Sequence, residues 1–172
     1  MNDFSHYHGG VELTHEDFNV KSADYRVFRL QDFSWEEQGF SLINRFYPGV
    51  GELLDDLFTE TFNLTDYMLF DSGNVDTSPF RQAVWYYVLR LKGMCHDDYE
   101  YSQVNACLNV TLKKYIKKVA CYPELVTRIE YANLGIELFD AEKAHINYLI
   151  MESRRQAELL YVLHAIMRSK GA

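Results

Sequence analysis

Two charged residues stand where helix starts would hold them: Arg81 in Asp76-Thr77-Ser78-Pro79-Phe80-Arg81, and Glu142 just after Asp140. A guanidinium three residues into a helix can grip a carboxylate through two parallel hydrogen bonds, beside amides that already favour an anion. A glutamate at a second helix start supplies the opposite charge. That pair is what a free amino acid, itself a zwitterion, needs. Each residue also has a plainer reading: Arg81 as a structural ion pair, Glu142 as an acid that any first helical turn favours. A second constellation is the acidic, aromatic run Cys95-His96-Asp97-Asp98-Tyr99-Glu100-Tyr101. It reads as a solvated loop or, with exposed tyrosines beside charge, as an interface rim.

Other reactive side chains point nowhere in particular. Cys95, Cys107 and Cys121 are an odd number without a short pairing motif, as in a reduced cytosolic protein. Cys107 falls on an apolar stripe and Cys121 at a helix end, both as packing residues. Cys95-His96 is a thiol–imidazole neighbour pair, but adjacent loop residues seldom align for proton transfer. His6 and His8 lack a fixed third ligand, and His145 and His164 are too far apart along one helix to share a metal. No glycine-rich phosphate loop or nucleophile elbow is present. No enzyme, metal or cofactor is expected.

These residues must be positioned by a single domain. The chain has 172 residues, 48% hydrophobic and 15% aromatic, enough for a sizeable core. Its net charge of −8, from 25 acidic and 17 basic residues, opposes bulk attraction to nucleic acid or anionic membrane. No apolar run is long enough to span a bilayer, and the first residues do not form a signal peptide.

Residues 1–31 are polar and aperiodic and read as a flexible lead, with one anchoring segment near Tyr25-Arg26-Val27-Phe28; residues 32–172 form the helical domain. Ser34 and Glu37 suggest a capping box for a helix to Tyr47, stopped by Pro48-Gly49. Apolar residues from Val50 to Phe62 keep helical spacing. Ser78 caps the third helix with Pro79 in its first position, and Gly93 ends it. A fourth helix carries Val104, Cys107, Leu108, Leu112, Tyr115, Ile116 and Val119. Pro123 starts a fifth, weakened by Gly135. Asp140 caps a long sixth, with Leu149, Ile150, Ala157, Leu160, Tyr161 and Met167 on its apolar side. No strand pattern appears. The expected fold is all-α, a bundle of about six helices.

Four ordered blocks also resemble a known family. They are Phe33 to Arg45, Val75 to Trp85, Tyr115 to Glu124, and Glu142 to Arg168, and together they resemble the carboxy-terminal domain of sestrins from about Glu16 onward. The resemblance implies a fold related to the alkylhydroperoxidase-D-like helical proteins. It implies that Arg81 holds the carboxylate of a leucine ligand, Glu142 its amine, and that Thr77 and Thr65 close over it. It implies that Asp97 and Asp98 bind the GATOR complex, making the protein a stress-responsive, amino-acid-regulated inhibitor of TOR complex 1 in cytoplasm and nucleus. Order in the segment from Thr65 to Thr77 would couple ligand to partner.

Three positions depart from the sensing pattern. Asp66, Met68 and Gly135 stand where those members have tyrosine, threonine and a tryptophan that floors the pocket, so side-chain selectivity is what should change. The alternative is a constitutive interaction module with a degenerate pocket; a thiol peroxidase is the weakest reading. Since sestrins pack two halves together, an amino-terminal sestrin domain or self-association is a further expected partner.

Overall fold

A computed structural model of the protein describes residues 27–64 and 76–170. Among these, seven α-helices carry the fold: α1 (Phe40–Phe46), α2 (Val50–Asn63), α3 (Ser78–Leu91), α4 (Tyr101–Cys107), α5 (Val110–Cys121), α6 (Arg128–Ala132) and α7 (Asp140–Lys170). The all-α bundle read from periodicity is the fold observed. The only strands among the described residues are β1 (Phe28–Arg29) and β2 (Met94–Cys95), paired in parallel.

The central element is α3. Of the stripe that spacing predicts, Phe80, Ala83, Val84, Tyr87 and Val88 are buried and Leu91 is half-buried, while Arg81, Trp85 and Leu89 are buried too, so the helix is covered on nearly every side. It packs against α4, α5 and α7. Trp85 Nε1 donates to Gln156 Oε1 at 3.2 Å, joining α3 to α7, while Phe58 and Phe62 of α2 meet the same indole edge-on. Burying an indole N–H requires such an acceptor. On α7, Leu149, Ile150, Ala157 and Leu160 enter the core as expected; Tyr161 and Met167 do not, lying substantially exposed.

Several boundaries differ from the sequence reading, each for a local reason. Ser34 Oγ accepts from the Glu37 N–H, but the return bond to the Ser34 N–H comes from Gln38 Oε1 at 2.9 Å. The first turn, Trp35–Gly39, is a π-helix, with the Gly39 N–H reaching the Ser34 carbonyl at 2.9 Å. One extra residue in the turn moves the box partner by one position. The expected fourth helix is two helices, because Leu108 is extended and Asn109 caps α5 by accepting the Leu112 N–H at 2.8 Å. After Pro123 comes a short 3₁₀ turn, Pro123–Leu125, and only then α6, capped by a full box between Thr127 and Glu130.

Residues 27–31 are anchored to the core by alternate side chains. Phe28 and Leu30 are buried, and Phe28 lies edge-on to Tyr161 and His164 of α7.

Candidate functional site

Arg81 is 4% exposed and lies in the first turn of α3. Its Nη1 donates to Thr77 Oγ1 and its Nη2 to Ser78 Oγ at 3.1 Å. Ser78 therefore does not cap the helix, as its position suggested. It is the first helical residue, Thr77 precedes it without a side-chain bond to the helix amides, and Pro79 is second. The Ser78 N–H is instead taken by Asp76 Oδ1 at 2.9 Å. Both hydroxyls turn inward to the guanidinium.

The guanidinium's hydrogen-bond partners among the described residues are neutral. Its Nε is buried and has none. Burial pushes the Arg81 guanidinium down from its ordinary value, and the charge of Asp76 partly opposes this. A buried cation held by two hydroxyls, with a donor left over, is electrostatically suited to an incoming anion.

Glu142 is 1% exposed in the first turn of α7. Its Oε2 accepts the Phe139 N–H at 2.5 Å, the return half of a capping box. Asp140 is the first residue of α7 and pairs with Lys143 at 3.4 Å. One turn beyond Glu142, the buried His145 brings Nε2 to 3.4 Å from the Thr61 carbonyl in the last turn of α2. The connection that leaves α2 beside His145 returns to α3 at Thr77. Arg81 and His145 thus stand at the two ends of one chain connection, and Glu142 lies one turn before His145 on α7. Thr65, Asp66, Met68 and the rest of residues 65–75 lie outside the described residues.

Gly135 has φ +76°. A Cβ there would stand 3.0 Å from Thr111 Cβ and 3.1 Å from the Asn109 amide, which donates to the Gly135 carbonyl at 3.2 Å. A cleft of about 560 Å³ opens beside it, lined by Asn133, Gly135, Ile136, Leu138 and Lys143, with Arg81 not among its walls.

The acidic loop follows β2. Asp97 and Asp98 are both exposed, but their environments differ. Asp97 Oδ2 accepts from Gln31 Nε2 at 2.7 Å. The Asp98 side chain is 92% exposed, and its N–H donates to His96 Nδ1 at 3.1 Å. Tyr99 is not the exposed rim residue expected. It is sandwiched between Tyr86, with centroids 3.9 Å apart, and His96 at 4.8 Å, and burial raises its phenol's pKa. Tyr101 is likewise half-buried, its hydroxyl accepting the His96 N–H at 3.1 Å. The aromatic residues brace the loop from within and leave the carboxylates outside.

Cys95, Cys107 and Cys121 are free thiols and half-buried, so Cys107 is less enclosed than its stripe suggested. Among the described residues no cluster of three or more His, Cys, Asp or Glu could hold a metal, and no helix is long and apolar enough to cross a membrane. Three residues escaped the sequence reading. Ser78 reads as a cap and His145 carries no sequence signal beyond its helix, although the 78/81 and 142/145 spacings put each on the face of its charged neighbour. Gln31 falls at the end of the polar lead, where nothing in the sequence marks a contact.

Fold and site define the class: an all-α bundle with buried charge at two helix starts and an exposed acidic loop. The particular family follows from the sequence comparisons. A family model described as PA26 p53-induced protein (sestrin) matches residues 1–170. The chain is 45% identical over 167 residues to the sestrin homolog of Dictyostelium discoideum, which covers 97% of this chain and 28% of that protein. It is 44% identical to the sestrin homolog of Drosophila melanogaster, over 96% of this chain and 34% of the relative. It is 45% identical to human sestrin-2, over 90% and 32% respectively. The chain belongs to the sestrin family and spans about a third of the length of these relatives.

Proposed function

We propose that this sestrin domain binds a free amino acid, leucine first, with the carboxylate at Arg81 and the amine at Glu142. We further propose that it restrains TOR complex 1 under stress by binding the GATOR complex through Asp97 and Asp98, in the cytoplasm and the nucleus. The observation that carries the ligand reading is Arg81, a buried guanidinium that, among the described residues, is bonded to neutral hydroxyls and keeps an Nε without a hydrogen-bond partner. Charge-assisted bonds contribute about 1.5–3 kcal/mol each, so a carboxylate here gains roughly ten- to a hundredfold in affinity per bond. Calorimetric titration with leucine, then methionine, isoleucine and arginine, tests it. Binding lost in Arg81→Ala supports the reading; unchanged affinity in that variant, or no heat from a folded protein with any of the four, overturns it.

A second reading, a constitutive interaction module, draws on Gly135. Its left-handed backbone and the closeness of Thr111 and Asn109 leave no easy place for a ring there. This reading expects partner binding that no amino acid alters. Both readings assign no reaction to the domain; peroxide consumption that disappears when all three cysteines are replaced would overturn that assignment. The remaining two-thirds of the relatives' length supplies a natural partner for exposed apolar residues such as Leu53, Ile129 and Tyr148.

A further inference from the structure

The acidic loop is held by a residue far from it in sequence. In the parallel ladder Phe28 stands opposite Met94 and Arg29 opposite Cys95, and the Leu30 N–H reaches the Cys95 carbonyl at 2.9 Å. The chain turns directly after the ladder, and in that turn Gln31 Nε2 donates to Asp97 Oδ2 at 2.7 Å. The other end of that amide, Oε1, is buried without a hydrogen-bond partner among the described residues. A charge-assisted bond of this length holds the amide and the carboxylate to one another.

Asp98 has no such tie on its carboxylate. The backbone N–H is taken by His96 Nδ1, whose ring stacks on Tyr99, and the carboxylate stands 3.8 Å from the same nitrogen with its side chain 92% exposed. The two neighbouring acids therefore have different work available to them. One is a strut and the other is presented to solvent.

We infer that Gln31 is a positioning residue for partner binding: it fixes Asp97 so that Asp98 meets a cationic protein surface. The inference rests on the reading of this loop as the partner-binding element. A lysine- or arginine-rich patch is the chemistry that a fixed, exposed carboxylate selects. The segment 27–31, including the β1 ladder, becomes part of the binding apparatus.

The test is an affinity measurement of the full 172-residue chain against purified GATOR complex, with a thermal melt for every variant. Gln31→Glu sets carboxylate against carboxylate and should weaken binding roughly tenfold, the scale of one charge-assisted bond. Adding Asp97→Asn reverses the polarity of the same bond and should recover affinity relative to Gln31→Glu alone, short of the parent by what the Asp97 charge itself contributes. Gln31→Met removes the donor without adding charge and should repeat the loss, which covers the case of a Gln31→Glu chain that does not fold. Asp98→Asn should weaken binding in every background. If the Gln31 variants bind like the parent while Asp98→Asn does not, or if the polarity swap fails to recover affinity relative to Gln31→Glu alone, the positioning role is wrong and the loop assignment stands. If Asp97→Lys with Asp98→Lys binds normally, the loop assignment itself fails and the inference with it.

Discussion

Arg81 and Thr77 are bonded to one another across the first turn of α3, Nη1 donating to Oγ1. The bond occupies the oxygen that would otherwise cap the helix, and Thr77 makes no side-chain bond to the helix amides. A threonine cap is worth about 1 kcal/mol. An unmet buried donor costs about 1–3 kcal/mol, more when charged. The hydroxyl therefore does more for the fold by meeting the guanidinium than by starting the helix.

Thr77→Val tests that balance. It keeps the shape and removes the hydroxyl, so it should destabilise the domain by about 1–3 kcal/mol in urea denaturation. In an Arg81→Met background the same change should cost less than about 1 kcal/mol, because no buried charge remains to be met. Simple additivity of the two substitutions would show that the bond is not what Thr77 contributes.

Glu142→Gln separates charge from capping. A glutamine oxygen can still accept the Phe139 N–H, so the melting temperature should change little. Amino-acid affinity should fall about tenfold or more, since the ammonium loses its charged acceptor. Equal affinity in calorimetry would remove Glu142 from the site, and a large drop in stability would make it a structural acid.

How much of this was legible follows from what each signal measures. The all-α class and the buried face of α3 depend on spacing, and Phe80, Ala83, Val84, Tyr87 and Val88 are where spacing puts them, with Leu91 only half-buried at the helix end. The burial of Arg81 and Leu89 was not legible, because α3 is covered by neighbours on several sides and periodicity describes only one face. Ser78 looked like a cap for a sound local reason, and a tertiary need for its oxygen prevailed. The break at Leu108 turned on Asn109, whose side chain caps α5 and also reaches the Leu134 and Gly135 carbonyls. Nothing within a helical window carries that second set of bonds. Gln31 was hidden most completely, since its partner is 66 residues away and a two-residue strand has no period.

Two glutamates should shape the acid limb of stability in opposite directions. Glu130 is held down to about 2, first by its bond to Lys118 and then by the Thr127 box. Its folded pKa lies below the ordinary 4.5, so its contribution is present above about 4.5 and is lost as pH falls through about 2. Glu152 is pushed up by burial, with the Arg155 charge only partly opposing it. Its contribution is present below 4.5 and fades as pH rises through its higher folded value. Melts from pH 2 to 7 should show Glu130→Gln flattening the acid-side fall, and Glu152→Gln raising the melting temperature mainly at neutral pH. A Glu152→Gln gain confined to acid would reverse the sign argued here.

Asn109 joins the start of α5 to the turn before α7, and its two roles can be taken apart. The carbonyl oxygen accepts the Leu112 N–H at 2.8 Å, while the amide donates to the Gly135 carbonyl at 3.2 Å. Asn109→Asp keeps an acceptor for the cap and loses the donor; Asn109→Ala loses both. The cap is worth about 1 kcal/mol and the loop bond a similar amount, so destabilisation of about 1 kcal/mol for aspartate and about 2 kcal/mol for alanine is expected. Gly135→Ala meets a different obstacle. At φ +76° any Cβ is strained, and this one would also stand 3.0 Å from Thr111 Cβ, so a loss of about 1–2 kcal/mol should follow. A tryptophan introduced at Gly135 would meet the same backbone before its ring touched any ligand. It should lower the melting temperature without raising leucine affinity, and tighter leucine binding by a stable Gly135→Trp chain would show that this turn can change its backbone to admit a ring.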